Sequence, residues 1–245
     1  TIPNLEWISL YWIFAIISLA MVFLIMISNF PKVERKEDEK SGAIETHLLL
    51  LKKPMVLLYF LAIFCYVGTE QGVANWISQF LALYHDIDPQ VQGAKTISNF
   101  WGMMTLGTLL GLLLLKFLDS RKVLIVTSVG TIFFLIAALF GTTQQALIAF
   151  PLIGFFIATM WSIIISLALN SVAEAHGSFS GILVTGIVGG ALVPFIVGAL
   201  GDVFGLKIGM LFLLITLSFI LSIGFWSKPL INNETLLSTS RKKNQ

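Results

Sequence analysis

Long apolar runs alternate with short polar breaks along the whole chain, and seven of the runs reach about 20 residues, enough for a helix to cross a bilayer. The pattern predicts spans over residues 4–30, 54–84, 95–117, 122–141, 145–170, 178–201 and 206–227. Connections are short except for residues 31–53. That segment mixes both charge signs around Ser41 and Gly42 and reads as a solvated linker between two bundles, with His47 exposed in it.

Polar positions inside the spans carry the functional signal. Glu70 lies near the middle of the second span. A charge at that depth costs several kcal/mol unless it faces a polar cavity or a partner. Gln71, Asn75, Ser78 and Gln79 share one helical face beside it, and Glu70 projects about 100° from that stripe. In the third span Ser98, Asn99, Trp101, Gly102 and Thr105 gather in the outer half. The fifth carries Thr159, Ser162, Ser166 and Asn170 on one face, with Trp161 offset by one residue. Serine and threonine often bond only their own backbone in such helices. Amides have more sites to satisfy, so Gln71, Asn75, Gln79 and Asn99 are the stronger candidates. Trp76, Trp101 and Trp161 lie too deep for an interfacial aromatic belt to explain all three. Amides beside indoles suit a sugar: amides match hydroxyls, and indole faces stack on pyranose C–H groups.

The sixth span, GILVTGIVGGALVPFIVGALGD, is thin and soft, with Gly189, Gly190 and Pro194 at its centre. Small residues let helices approach closely, and glycine with proline permits a kink, so close packing and a moving gate both fit. Two turns pair an acid with a base: Asp119 with Arg121 and Lys122, and Asp202 with Lys207. Helix capping and a gating role are both open for them.

Composition agrees with membrane residence. Hydrophobic residues make up 57% of the chain and charged ones 11%, and mean hydropathy is +0.92. A net charge of +2 gives no reason to expect nucleic acid. The lone Cys65 forms no internal disulfide and reads as a packing residue. No nucleophile–base pair, HExxH motif or paired intramembrane acids occur, so neither enzyme chemistry, a metal nor a cofactor is expected. No signal peptide is visible, and the first residue is Thr1, which points to a piece of a larger protein. Of the 15 Lys and Arg residues, 13 fall on one side of the predicted membrane and two, Lys95 and Lys207, on the other. The positive-inside rule then puts the C-terminus in the cytoplasm and Thr1 outside, in a multi-pass protein of the plasma or inner membrane.

The stretch Tyr66-Val67-Gly68-Thr69-Glu70 followed by Trp76 resembles the seventh helix of the fucose and glucose/galactose permease family of the major facilitator superfamily. Ser166-Leu167-Ala168-Leu169-Asn170, Gly177-Ser178 and the run Gly186-Ile187-Val188-Gly189-Gly190-Ala191 through Pro194 and Gly198 to Asp202 are similar to its tenth and eleventh helices. The resemblance covers residues 54–227. It implies an all-α membrane fold: a C-terminal six-helix bundle (54–227) preceded by the last helix of the N-terminal bundle (1–30) and a cytoplasmic central loop (31–53), then a cytoplasmic tail (228–245). It also implies a secondary active transporter, a cation-coupled sugar symporter working by alternating access, with this chain as its C-terminal half. The implied partners are a monosaccharide, a coupling cation, the bilayer and the absent N-terminal bundle. Gln71, Asn75, Trp76, Gln79, Asn99, Trp101 and Trp161 would contact substrate. Glu70 would carry a proton, donate a hydrogen bond or order the break at Gly68–Gly72. Two motifs depart from the family. Its G-R-x-x-G pattern is Gly107-Thr108-Leu109-Leu110-Gly111 here, and its aromatic-Pro-Thr-Ile-Phe-Ser pattern is Trp161-Ser162-Ile163-Ile164-Ile165-Ser166. The family's coupling acids lie in the N-terminal bundle. A seven-helix receptor is the rival reading, weakened by the lone cysteine and by the lack of a mid-membrane lysine in the last span.

Overall fold

The computed structural model describes residues 6–28 and 44–231; the expectations for residues 1–5, 29–43 and the tail from 232 lie outside that range. Most of the described residues are helical, and seven helices among them are long and apolar enough to cross a membrane. The spans match those expected from hydropathy to within a few residues. The chain divides into two units, residues 1–40 and 41–245. The first holds α1 (Glu6–Ile27), whose described side chains are exposed from Leu10 onward.

In the second unit, α2 (Ile44–Leu51) occupies the end of the expected linker. It is not merely solvated. Leu50 is buried, and His47 is half-buried beside Gly181. The pattern Leu48–Leu51 let one leucine find the bundle, which the charge mixture upstream obscured.

Helix α3 (Pro54–His85) is the axis of the bundle. Pro54 opens it at a position where no amide donor is needed. Asp86 closes it in the left-handed region, its N–H donating to the Leu81 carbonyl. Fifteen of its residues are buried, among them Tyr59, Tyr66, Ile77 and Phe80. A wide turn, Pro89–Gly93, is capped by Asp88 and leads into α4 (Ala94–Phe117). Asp119 caps α5 (Ser120–Phe140) by accepting from the Arg121 N–H. A reciprocal Thr142–Gln145 capping box opens α6 (Thr143–Ile157).

The fifth span breaks between α6 and α7 (Met160–Leu169). The sixth breaks at Gly186–Val188, between α8 (His176–Thr185) and α9 (Gly189–Phe204). The last consists of α10 (Leu206–Leu211) and α11 (Leu213–Trp226). Gly205, at φ +90°, makes the tight turn into α10, a conformation that strains any residue with a Cβ.

Two contacts pin α3. Thr69 and Thr216 of α11 meet at 2.6 Å in the core. Each hydroxyl also reaches a carbonyl of its own helix, Cys65 or Leu213, so one donates across and the other locally. On the opposite flank Gly189 lies against the Phe64 carbonyl and Gly68 against Val193. Here the bare glycine backbone is what lets two helices touch. Near the end of α11, Arg121 donates to the Ser227 carbonyl at 3.5 Å. The segment that follows is fastened to the end of α7. Asn170 Nδ2 donates to the Ile231 carbonyl at 2.7 Å, its Oδ1 accepts from the Ile231 N–H at 3.1 Å, and its own carbonyl accepts from the Leu230 N–H at 2.8 Å.

Candidate substrate site

Between Ala62 and Leu81, the two exposed residues of α3 are Asn75 and Gln79. Every neighbour in that stretch is buried or half-buried. An apolar residue left uncovered on a membrane helix meets lipid at no cost, but an uncovered amide in hydrocarbon leaves its donors and acceptors unpaired. The face that shows Asn75 and Gln79 is therefore built for water, a polar ligand or another polar surface.

One turn deeper the stripe becomes a cluster. Gln71 Nε2 donates to Glu70 Oε1 at 3.2 Å, and both residues are half-buried. Tyr66, one turn earlier on the same helix, is nearly fully buried. The Tyr66 ring in turn packs on Trp161 of α7, centroids 5.8 Å apart and planes at 54°. The Glu70–Gln71 pair and the Tyr66–Trp161 pair thus lie one turn apart along α3, and the second joins it to α7. Periodicity could place Glu70 beside the stripe. It had no means of finding Tyr66, which is nearly fully buried and reads as core. Gln71 also leans on Gly190, where a Cβ would stand 3.2 Å from its Cγ.

Trp76 behaves differently from the free stacking surface expected for it. Its indole Nε1 donates to the Pro194 carbonyl at 3.0 Å, and its ring edge fills the space left by Gly198. The side chain joins α3 to α9, and what it offers a ligand is its remaining face. That face lines a cavity of about 260 Å³ with Gln79, Tyr84, Asp202 and Leu206. Asp202 is exposed there. Its turn lacks the tight pair expected by analogy with the other one. Lys207 Nζ sits over the Tyr84 and Phe140 rings, 4.9 and 5.5 Å from their centroids, within cation–π range. In the Asp119 turn, by contrast, Arg121 Nε reaches Asp119 Oδ1 at 3.4 Å.

Asn99 is not brought onto the α3 stripe. It lines a separate cleft of about 570 Å³ with Ser98, Gly102 and Leu106 of α4 and Pro151 of α6. Trp101 is exposed and packs edge-on against Phe100, centroids 5.3 Å apart. The polar face expected along the fifth span is not one free surface, because its members have different neighbours. Thr159 packs on Gly111, Ser162 and Ser166 are exposed, and Asn170 is occupied by Ile231. Ser78 likewise leaves the stripe to donate to the Pro89 carbonyl at 2.9 Å. Among the described residues no group of three or more His, Cys, Asp or Glu side chains could hold a metal ion.

The family model of the Major Facilitator Superfamily matches residues 2–193. The glucose/galactose transporter of Brucella abortus biovar 1 (strain 9-941) is 32% identical over 212 residues, 82% of this chain and 48% of that protein. A putative glucose/galactose transporter of Helicobacter pylori (strain ATCC 700392 / 26695) is 28% identical over 188 residues, covering 77% and 45%. A crystal structure of the E. coli fucose:proton symporter matches with a TM-score of 0.76 at 21% identity, over 89% of this chain and 54% of that one, a likeness of fold. The chain spans about half the length of the curated relatives it matches. Those relatives are transporters and not enzymes. This multi-pass membrane chain belongs to the Major Facilitator Superfamily, in the fucose and glucose/galactose permease branch whose helix motifs it carries.

Proposed function

We propose that this chain is the C-terminal half of a secondary sugar transporter and supplies one wall of its central site. The observation that carries the reading is the uncovered amide stripe on α3. Asn75 and Gln79 stand exposed on an otherwise covered stretch of the helix, near the Glu70–Gln71 and Tyr66–Trp161 pairs. The names of the Brucella and Helicobacter relatives favour a hexose.

In this mechanism the sugar binds between this bundle and an N-terminal bundle. Gln71, Asn75 and Gln79 exchange hydrogen bonds with its hydroxyls, and the exposed parts of Trp76 and Trp161 cover its C–H face. Asn99 and Trp101 on α4 would reach the sugar from another direction. Helix α3 runs unbroken through Gly68–Gly72, so Glu70 has no break to order there; it orders Gln71 instead, accepting from that amide and fixing which way it points. The sugar moves as the two bundles rock about the site, driven by a coupling cation handled elsewhere in the transporter. Helices α3 and α9 move together, because Trp76, Gly68 and Gly189 bind them into one body. The Asp119–Arg121 turn and the cytoplasmic tail face inward, and the Asp202 turn faces out. The receptor alternative falls with the family assignment.

The test is uptake of labelled D-glucose, D-galactose and L-fucose into vesicles holding the chain together with an N-terminal bundle, under imposed proton or sodium gradients. Uptake of at least one sugar is expected, weakened by Gln71→Ala and by Asn75→Ala. Uptake indifferent to both substitutions would remove the stripe from the site. Gradient-driven uptake that survives Glu70→Gln with a raised half-saturation constant fits ordering; uncoupled uptake would make Glu70 the cation carrier.

A further inference from the structure

We infer that the groove between α4 and α5 is a binding site for one acyl chain of an anionic phospholipid, with Lys122 taking the phosphate. The groove holds about 310 Å³ and has the α6–α7 break as its floor. Leu110, Leu114 and Val126 form its open rim, and all three are exposed. Gly107 and Gly111 seat α4 on the floor at the Phe155 carbonyl and Thr159, which makes the recess deep. The lining has almost no polar offer. The Thr127 hydroxyl is already bonded to the Val123 and Leu124 carbonyls of its own helix. The exceptions are Thr159 in the floor and, at one end, Lys122.

Length and charge select the occupant. From Gly107 to Leu118 the helix rises about 16 Å, close to half of the ~30 Å hydrocarbon thickness. The groove therefore runs from the membrane boundary to the midplane, the depth of one leaflet. Its deep end is apolar and its boundary end carries a cation. Lys122 is exposed and has no carboxylate within 4 Å among the described residues, whereas its neighbour Arg121 is engaged by Asp119. A free ammonium at the headgroup level over an acyl-sized recess matches a phospholipid whose phosphate charge is not cancelled by its own headgroup. Beyond Lys122 and the Thr159 hydroxyl, the apolar lining offers a sugar no side-chain partner. The inference needs only membrane insertion and is independent of what the protein transports.

Native mass spectrometry of the full chain released from equimolar phosphatidylglycerol and phosphatidylcholine tests it. The expected result is one retained lipid, phosphatidylglycerol favoured about fivefold. Lys122→Gln should erase the preference. Val126→Trp, which fills the rim from an exposed position, should lower retention of both lipids. Phe133→Trp, equally exposed on α5 but outside the groove, should leave retention unchanged. Equal retention of the two lipids by the unaltered chain overturns the site. So does a Val126→Trp chain that retains lipid like the unaltered one, since the attraction would then be surface charge alone.

Discussion

Helices α3 and α4 follow one another in the chain and both cross the membrane, yet they are built on opposite plans. Over the most apolar stretch of each span, 61% of residues are buried in the α3 span and 17% in the α4 span. α3 meets neighbours on nearly every side, and its uncovered middle positions are amides. α4 touches the bundle along a narrow ridge of Thr96, Phe100, Gly107 and Gly111, and leaves Leu106, Leu109, Leu112 and Leu113 exposed. In lipid an exposed leucine needs no explanation and an exposed amide does. The same fractional exposure thus means solvent for an acyl chain on one helix and a polar pathway on the other.

The sharpest way to break this contrast is to thicken the α3–α9 contact. Gly189→Leu must push a side chain into the Phe64 carbonyl, and a loss of about 3 kcal/mol is expected, read as a lower unfolding temperature in detergent. A wild-type melting curve would mean that the two helices can separate, and the single moving body would be gone. Next is Asn75→Ala. Removing one hydrogen bond to a sugar hydroxyl should raise the half-saturation constant for uptake about tenfold, with little change in melting. Asn99→Ala is the matched probe on α4. A similar rise would show both helices facing one ligand, and no change would confine the site to α3.

A smaller effect is expected for Trp76→Phe, which keeps an aromatic ring but deletes the donor to Pro194 and trims the edge that fills the Gly198 space. It should cost about 1 kcal/mol of stability. An unchanged stability would return Trp76 to the role of a free platform. The smallest belongs to Leu109→Ala on the open face of α4, where a change within about 0.5 kcal/mol is expected. A large loss there would reveal a protein surface where lipid has been assumed.

Span number and span limits were readable from hydropathy because a bilayer imposes one length on every helix. The amide stripe was readable because polar residues at spacings of four and eight share a face whatever surrounds them. Partners were not readable, since a donor's direction depends on the neighbouring helix. Trp76 turned to a carbonyl more than a hundred residues away, Asn99 to its own cleft, and Asn170 to a backbone segment after the last span. The break in the sixth span fell in the glycine-rich stretch that reads as soft, but the one in the fifth was hidden. Residues 158–159 carry neither glycine nor proline, so periodicity ran straight through them, and it had no means of showing that Thr159 is buried against Gly111.

The clasp between Asn170 and Ile231 bears on how this protein can be handled. Three hydrogen bonds join the last described turn of chain to the end of the helix that carries Trp161. A purification tag, a fluorescent fusion or a surface tether placed soon after Ile231 is therefore mechanically connected to the candidate sugar site. Attaching such a load directly at this point would pull on α7, and a flexible spacer would leave it at rest.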